Sequence, residues 1–366
     1  MKHRPYTAIL LVPTGVGAAI GGYAGDALPV ARAIARVVDR LITHPNVLNG
    51  AQLYWAIDNA FYVEGYGLDQ LAAGNWGIRP VHQNRIGLVF DQAIEPELRL
   101  RHLQAADATR ATLGLNLTDY VVTDEPLGVE LRTAASGATW GTICHPDSLL
   151  RAVDRLITHT QAEAIAIVAR FPDDDGSEAL QDYRQGRGVD PLAGAEAVIS
   201  HLVVKTFQIP CAHAPALLPL PLDPNLSPRS AAEEIGYTFL PCVLVGLSRA
   251  PQFVTNRAIA SDGTIWADGV DAVIVPASAC GGSAVVSLAS STQVIAVAEN
   301  TTRMNVTPDQ VGIDAVWVES YLEAIGVLVA HQAGISVAAL RPHLASLQQL
   351  ADSNHGKHLQ DIGCRC

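Results

Sequence analysis

Lysine is nearly absent from this chain. Among 366 residues only Lys2, Lys205 and Lys357 are lysines, and two of these stand near the ends. Schiff-base or serine–lysine chemistry would therefore have to use Lys205. No G-x-x-x-x-G-K-[ST] segment occurs, which excludes a Walker-type phosphate loop. Charge is scarce too: 16% of residues are charged, against about a quarter in an average soluble protein. The balance is acidic, at −12, with no polybasic stretch, so a nucleic-acid partner is excluded. Aromatics make up only 5%. No run of about 18 apolar residues escapes interruption by glycine or proline, so no membrane span is expected. Six cysteines in so long a chain do not make a disulfide framework. The start, Met1-Lys2-His3-Arg4 before the apolar Thr7–Val12, is similar to a signal peptide but is short and broken by Pro13. A cytoplasmic location is expected.

What is present is aliphatic. Hydrophobic residues reach 49%, carried by Ala, Val, Leu and Ile alongside 30 glycines. That profile excludes a disordered chain and suits buried parallel strands, which read as continuous aliphatic runs. Residues 7–12 read as a strand, 13–25 as a glycine-rich turn, 26–38 as a helix capped by Asp26, and 39–44 as a second strand. Such a unit implies a parallel sheet. The heptapeptide at 38–44, Val-Asp-Arg-Leu-Ile-Thr-His, recurs unchanged at 153–159, which suggests duplication, although any α/β protein repeats the same strand-turn-helix grammar. A strand-like stretch at 128–133 precedes the second copy, with a small-residue turn at 136–139 and a helix at 146–153. A third station runs from strand 271–276 through the turn Ser278–Ser283 to helix 283–290 and strand 293–298. Further strands are expected at 85–91, 119–124, 164–169, 240–246 and 314–318. Further helices are expected at 95–113, 193–206, 229–236 and 320–333. Residues 214–228 hold five prolines and read as a long, stiff loop.

The expected fold is α/β, with Rossmann-like parallel sheets in two lobes and internal β-loop-α-β repeats. The lobes are placed at 1–126 and 127–340, followed by a tail at 341–366. Ligands of open parallel sheets bind beyond the carboxyl ends of strands, which directs attention to the turns. The first turn holds Gly15, Gly17 and Gly21 between a strand and a helix, the setting for binding an anion with backbone N–H groups. Its spacing departs from the dinucleotide fingerprint, and His44-Pro45-Asn46 follows the second strand in place of a ribose-binding acid. A phosphate- or carboxylate-binding turn, or a turn that needs glycine for steric reasons, fits better.

Ser278-Ala279-Cys280-Gly281-Gly282 is the sharpest catalytic candidate. A cysteine at a helix N-terminus gains thiolate character, and the adjacent Gly281 and Gly282 leave N–H groups for an oxyanion. A buried cysteine that merely packs is the plainer alternative. His213, at the start of the proline-rich loop, is the acid/base candidate. His44 is a weaker one, since His159 occupies the same place in the repeat. Arg184, Arg187 and Asp190 precede the helix at 193–206 and suggest an anion site. Glu299 and Asn300 follow a strand and suit a pocket wall. Asp173, Asp174 and Asp175 read as a solvated loop more readily than a magnesium site. The tail carries His355, His358, Cys364 and Cys366, soft-metal ligand types at a spacing of no standard zinc module.

Four blocks together resemble a family known only as a domain of unknown function, found in photosynthetic bacteria, other bacteria and plants. They are Val12–Gly17, Gly188–Ala197, Cys211–Pro215 and Ser278–Gly282, and the resemblance covers roughly residues 5–340. It implies no reaction. Three repeated units would also be similar to ring-opening amidohydrolases of the cyanuric acid hydrolase type. Ser136 is present, but a lysine for each unit is not, so that mechanism does not carry over.

The expected function is that of a small-molecule enzyme, a hydrolase, lyase or isomerase, acting on a small anionic metabolite in a cleft between the lobes. Cys280 and His213 would be its reactive groups. No cofactor is indicated, no nucleic acid or membrane partner is expected, and a homo-oligomer is the default. The alternatives are a non-catalytic nucleotide- or metabolite-binding regulator and a metal-handling protein using the terminal His/Cys cluster.

Overall fold

A computed structural model describes residues 4–49, 56–173, 176–235 and 239–347. Fourteen strands form among them. The first four are β1 (Thr7–Leu10), β2 (Arg40–Thr43), β3 (Ala60–Tyr62) and β4 (Gly77–Arg79). The middle of the chain supplies β5 (Ile86–Phe90), β6 (Leu117–Val122), β7 (Val129–Thr133), β8 (Thr139–Ile143), β9 (Ala164–Arg170) and β10 (Cys211–Ala216). The last are β11 (Gln252–Val254), β12 (Ala272–Pro276), β13 (Gln293–Val297) and β14 (Ala315–Val318).

Six strands make one sheet in the order β14-β13-β12-β1-β2-β3, every pair parallel. This is the strand order of a Rossmann sheet, with the two halves meeting where β1 lies beside β12. All four residues of β1 and all five of β12 are buried, as strands covered on both faces must be. Four more strands make a second parallel sheet, β10-β9-β5-β6. The fold is thus α/β with Rossmann-like parallel sheets.

The lobes do not divide at residue 126. The first sheet takes strands from both ends of the chain, pairing Ala8 with Ala272, and the second sheet is inserted between β3 and β12. The expected boundary falls inside that insertion, between β6 and β7. Aliphatic runs announce strands but not which strands pair.

The heptapeptide repeat is not a structural repeat. Its first copy contains strand β2, whereas its second lies within the helix Pro146–Thr160. In the strand Leu41 and Ile42 are buried on opposite faces. In the helix Val153 and Leu156, three apart, are buried while Asp154, Arg155, Thr158 and His159 are exposed. Pro146 at the first turn sets the second context. The stretch before it is a hairpin, β7 with β8, in place of a strand-turn-helix unit.

Residues 240–246 are not a strand. They belong to the helix Phe239–Ser248, which sends Leu240, Val243, Leu244 and Leu247 into the core joining the sheets. An apolar run without polar punctuation reads alike in both states. The first crossover helix is shorter than its pattern, Leu28–Ile34, with Ala27 at its N-cap. Asp26 instead pairs with Arg229 at 3.2 Å.

Candidate functional site

A cavity of about 340 Å³ lies at the switch point of the six-stranded sheet. Its walls include Leu11–Thr14 after β1, His44 after β2, Glu64 after β3 and the turn residues Ala279 and Gly282 after β12. The inserted lobe supplies the facing wall: Asp190, Glu196, Ser200, His201, His213 and Glu233. Among the described residues no lysine or arginine lines it.

Polar side chains link across this cavity. Glu64, buried, caps the helix Gly65–Ala72 by accepting from the N–H groups of Tyr66 (2.8 Å) and Gly67 (3.3 Å). Its other oxygen meets His201 Nδ1 as an ion pair and accepts from Ser200 Oγ at 3.5 Å. Ser200 Oγ lies 3.2 Å from His213 Nδ1, and His213 Nε2 lies 3.7 Å from Glu196 Oε2. The sequence Glu196–His213–Ser200–Glu64–His201 thus runs from the rim of the inserted lobe to the first sheet. Burial opposes charge on His201, but Glu64 and Asp69 outweigh it and raise its pKa. His44 is the opposite case. Burial lowers it to about 4, and its Nε2 accepts from the Val12 N–H at 3.0 Å, so the neutral ring carries its proton on Nδ1.

Two carboxyls bind their protons more tightly than exposed carboxylates do. Burial pushes Glu233 up to about 7, assisted by the charges of Glu196 and Asp26, and the hydrogen bond from the Ala24 N–H only partly offsets this. Asp190 is raised well above the carboxylate range by burial and then by Glu196 and Glu233. Its Oδ1 accepts from the Leu192 N–H at 2.8 Å, ahead of the helix Ala193–Phe207.

The expected residues divide between this cavity and the scaffold around it. His213, Asp190 and Gly282 line it. Cys280 does not. It is fully buried in the apolar cluster with Val273, Val294 and Leu288, its Sγ facing the Pro276 carbonyl at 3.8 Å. Burial raises its thiol to about 11, so it is a packing residue and not a thiolate. The helix behind it, Ser283–Leu288, begins three residues later and is too short to reverse that effect. Gly281 lets Val306 pass, since a Cβ there would lie 2.9 Å from Val306 Cγ1. Ser278 Oγ accepts from the Thr302 N–H at 2.9 Å and so ties down the loop after β13. Asn300, fully buried, clamps Ile20 through both its N–H and carbonyl (2.9 and 2.8 Å) and donates to the Tyr321 hydroxyl. Glu299 accepts from the Tyr321 N–H at 2.8 Å. These residues shape the glycine turn and do not face the cavity. Arg184 is likewise structural, buried and paired with Glu234 at 2.5 Å. The terminal His355, His358, Cys364 and Cys366, with Asp174 and Asp175, lie outside the described residues. Asp173 pairs with Arg170 at 2.5 Å. Among the described residues no three His, Cys, Asp or Glu are grouped as a metal site.

The glycine turn is steric before it is anything else. Gly17 has φ +60° and a Cβ there would lie 2.9 Å from Val189; Gly21 has φ +92° and a Cβ there would lie 2.5 Å from Val12. Gly15, also at positive φ, abuts Thr139 of the hairpin. A second cavity of about 360 Å³ lies against this turn. It is lined by Gly17, Ala18, Tyr23, Tyr183, Arg187, Gly188 and Arg303 among others.

Sequence reading missed Glu64, Ser200, His201 and Glu233 and left Glu196 unassigned within a block it had singled out. Glu64 follows a three-residue strand too short to read. The others sit on helices, where their spacing alone does not distinguish a wall from a solvent face.

The whole of this architecture coincides with a family model for a protein of unknown function, DUF3326, which matches residues 7–341. The chain belongs to the DUF3326 family. A relative in Synechococcus sp., named an uncharacterized lipoprotein, is 60% identical over 343 residues, 93% of this chain and 95% of the relative. No solved structure matches this DUF3326 member. No helix among the described residues is long and apolar enough to cross a membrane.

Proposed function

We propose that this protein is an acid–base enzyme acting on a small metabolite in the cavity between its lobes, a hydrolase, lyase or isomerase without a covalent cysteine step. The observation that carries the reading is the meeting of carboxyls of raised pKa with a histidine in one cavity. Burial raises Glu233 and Asp190, which supply the acid, while His213, placed between Glu196 and Ser200, supplies the base. Ser200 is no nucleophile on this reading, because it sits buried within a helix and also reaches the Ala197 carbonyl at 3.4 Å. It holds His213 in position. With five lining carboxyl groups and no lysine or arginine among the described residues, the cavity suits a neutral or cationic reacting end, so the anionic group of an expected anionic metabolite lies outside it.

Incubation of the protein with a small-molecule extract, followed by mass spectrometry, tests the proposal. At least one compound is consumed by the natural chain and spared by His213→Ala and Glu233→Gln. Compounds bound but never consumed would favour the regulator. A homo-oligomer and a cytoplasmic location belong to the same reading, whereas the relative's name favours attachment to a membrane. Sedimentation and cell fractionation decide these two points.

A further inference from the structure

The second cavity has a composition opposite to that of the first. Arg187 and Arg303 line it, together with Gly17, Ala18, Gly188 and Tyr183, and none of its lining residues is acidic. Arg303 makes no ion pair among the described residues, and Arg187 meets only Asp182, at 3.3 Å. Three backbone N–H groups of the lining, those of Gly17, Ala18 and Gly188, donate to no protein acceptor among the described residues. Ala18 is only 4% exposed, Gly17 is half-buried and Gly188 is exposed, and their N–H groups are free to meet an acceptor from outside the chain. The Tyr183 hydroxyl is turned to Glu233, on the side of the first cavity, so Tyr183 lines the second with its ring. Tyr183 stacks on Tyr23, centroids 4.6 Å apart, which fixes its ring in the wall.

We infer that this second cavity is an oxyanion site that takes a phosphoryl group. Two guanidinium groups supply charge, and the unpaired N–H groups supply donors to tetrahedral oxygens. The positive φ of Gly17 and of Gly188 brings these amides to the lining without side chains between them and an anion. No helix terminus is needed. The site also communicates with the first cavity through shared segments. Tyr23 lines the second and Ala24 the first, as do Gly188 and Asp190, and Arg303 and Met304. A phosphoryl group bound here therefore rests on the wall of the acid–base cavity. The inference stands apart from turnover in that cavity, because binding alone tests it.

Titration calorimetry of the full chain with inorganic phosphate is the experiment. Saturable binding is expected, weakened at least tenfold by Arg303→Gln and by Arg187→Gln. Arg101→Gln, a change on a distant exposed helix face, leaves it unaltered. Both test side chains are exposed, and circular dichroism spectra matching the natural chain show that the variants fold. Absence of saturable binding up to about 20 mM phosphate, or equal binding by all three variants, overturns the inference. Methyl phosphate separates the sources. Affinity equal to that of phosphate assigns the site to the phosphoryl arm of a larger ligand, and binding of phosphate alone assigns it to the free ion; either result upholds the oxyanion site.

Discussion

Replacing Glu233 by glutamine removes one titrating group from the cavity wall with almost no change in volume. The natural carboxyl titrates at about 7 in the folded protein, against 4.5 in an unperturbed chain, chiefly because it is buried and also because Glu196 and Asp26 are near. The folded state binds this proton more tightly than the unfolded state. Its stabilising contribution is therefore complete below about pH 4.5 and is lost as the pH rises through about 7. At about 1.4 kcal/mol per unit, the loss between about pH 5 and about pH 8 integrates to about 2.5 kcal/mol. Glutamine imitates the neutral acid, and its carbonyl can still accept from the Ala24 N–H. Urea unfolding of both proteins at about pH 5, 6, 7 and 8 follows this group, together with the part of the Asp190 shift that Glu233 causes. The variant is expected to exceed the natural chain by about 0.8 kcal/mol near pH 5 and by about 3.3 kcal/mol near pH 8, an increment of about 2.5 kcal/mol. Equal pH slopes, or a natural chain more stable than the variant at about pH 8, would refute the reasoning that burial holds Glu233 protonated.

Iodoacetamide at about pH 8 should label exposed Cys144 well before Cys280, whose thiol is fully buried and raised to about 11; peptide mass spectrometry reads the order, and faster labelling of Cys280 would restore it as a reactive group. Gly21→Ala combines a left-handed backbone with a Cβ 2.5 Å from Val12, so a loss of more than about 2 kcal/mol in chemical unfolding is expected. Arg184→Met strands the mostly buried Glu234 carboxylate and should cost about 3 kcal/mol, with Arg184→Met/Glu234→Leu recovering most of it. A double variant no more stable than the single one would show that Glu234 is not the source of the cost.

Strands β1, β5, β9, β12 and β13 were legible because each is an aliphatic run bounded by polar residues or glycine. The glycine turn after β1 and the turn after β12 were legible for the same reason, and both flank the switch point. The error at Cys280 came from treating a position in the chain as a position in space. A turn between a strand and a helix exposes some side chains and buries others, and the packing of Val306 on Gly281 decides which. The heptapeptide shared by 38–44 and 153–159 shows the same limit at the level of secondary structure. Its pattern satisfies a strand buried on both faces and also a helix with one buried edge, so the neighbours choose.

The inserted lobe explains why the cavity chemistry was the least legible part. A Rossmann sheet alone presents turns at its switch point and would hold a ligand by backbone and helix termini. Here the chain leaves after β3, builds a second parallel sheet and returns to β12, so the helix Ala193–Phe207 and strand β10 come to face those turns. Glu196, Ser200 and His201 reach the cavity from that helix and His213 from that strand, more than 120 residues along the chain from Glu64, whose carboxylate meets two of them. No local pattern encodes such a meeting. The charge separation follows from the same insertion. The lobe brings carboxyls to the side of the shared wall that holds His213 and the exposed Arg187 to the side that holds the glycine turn. The fold thereby places a carboxyl-lined cavity and a cation-lined one against the same three segments.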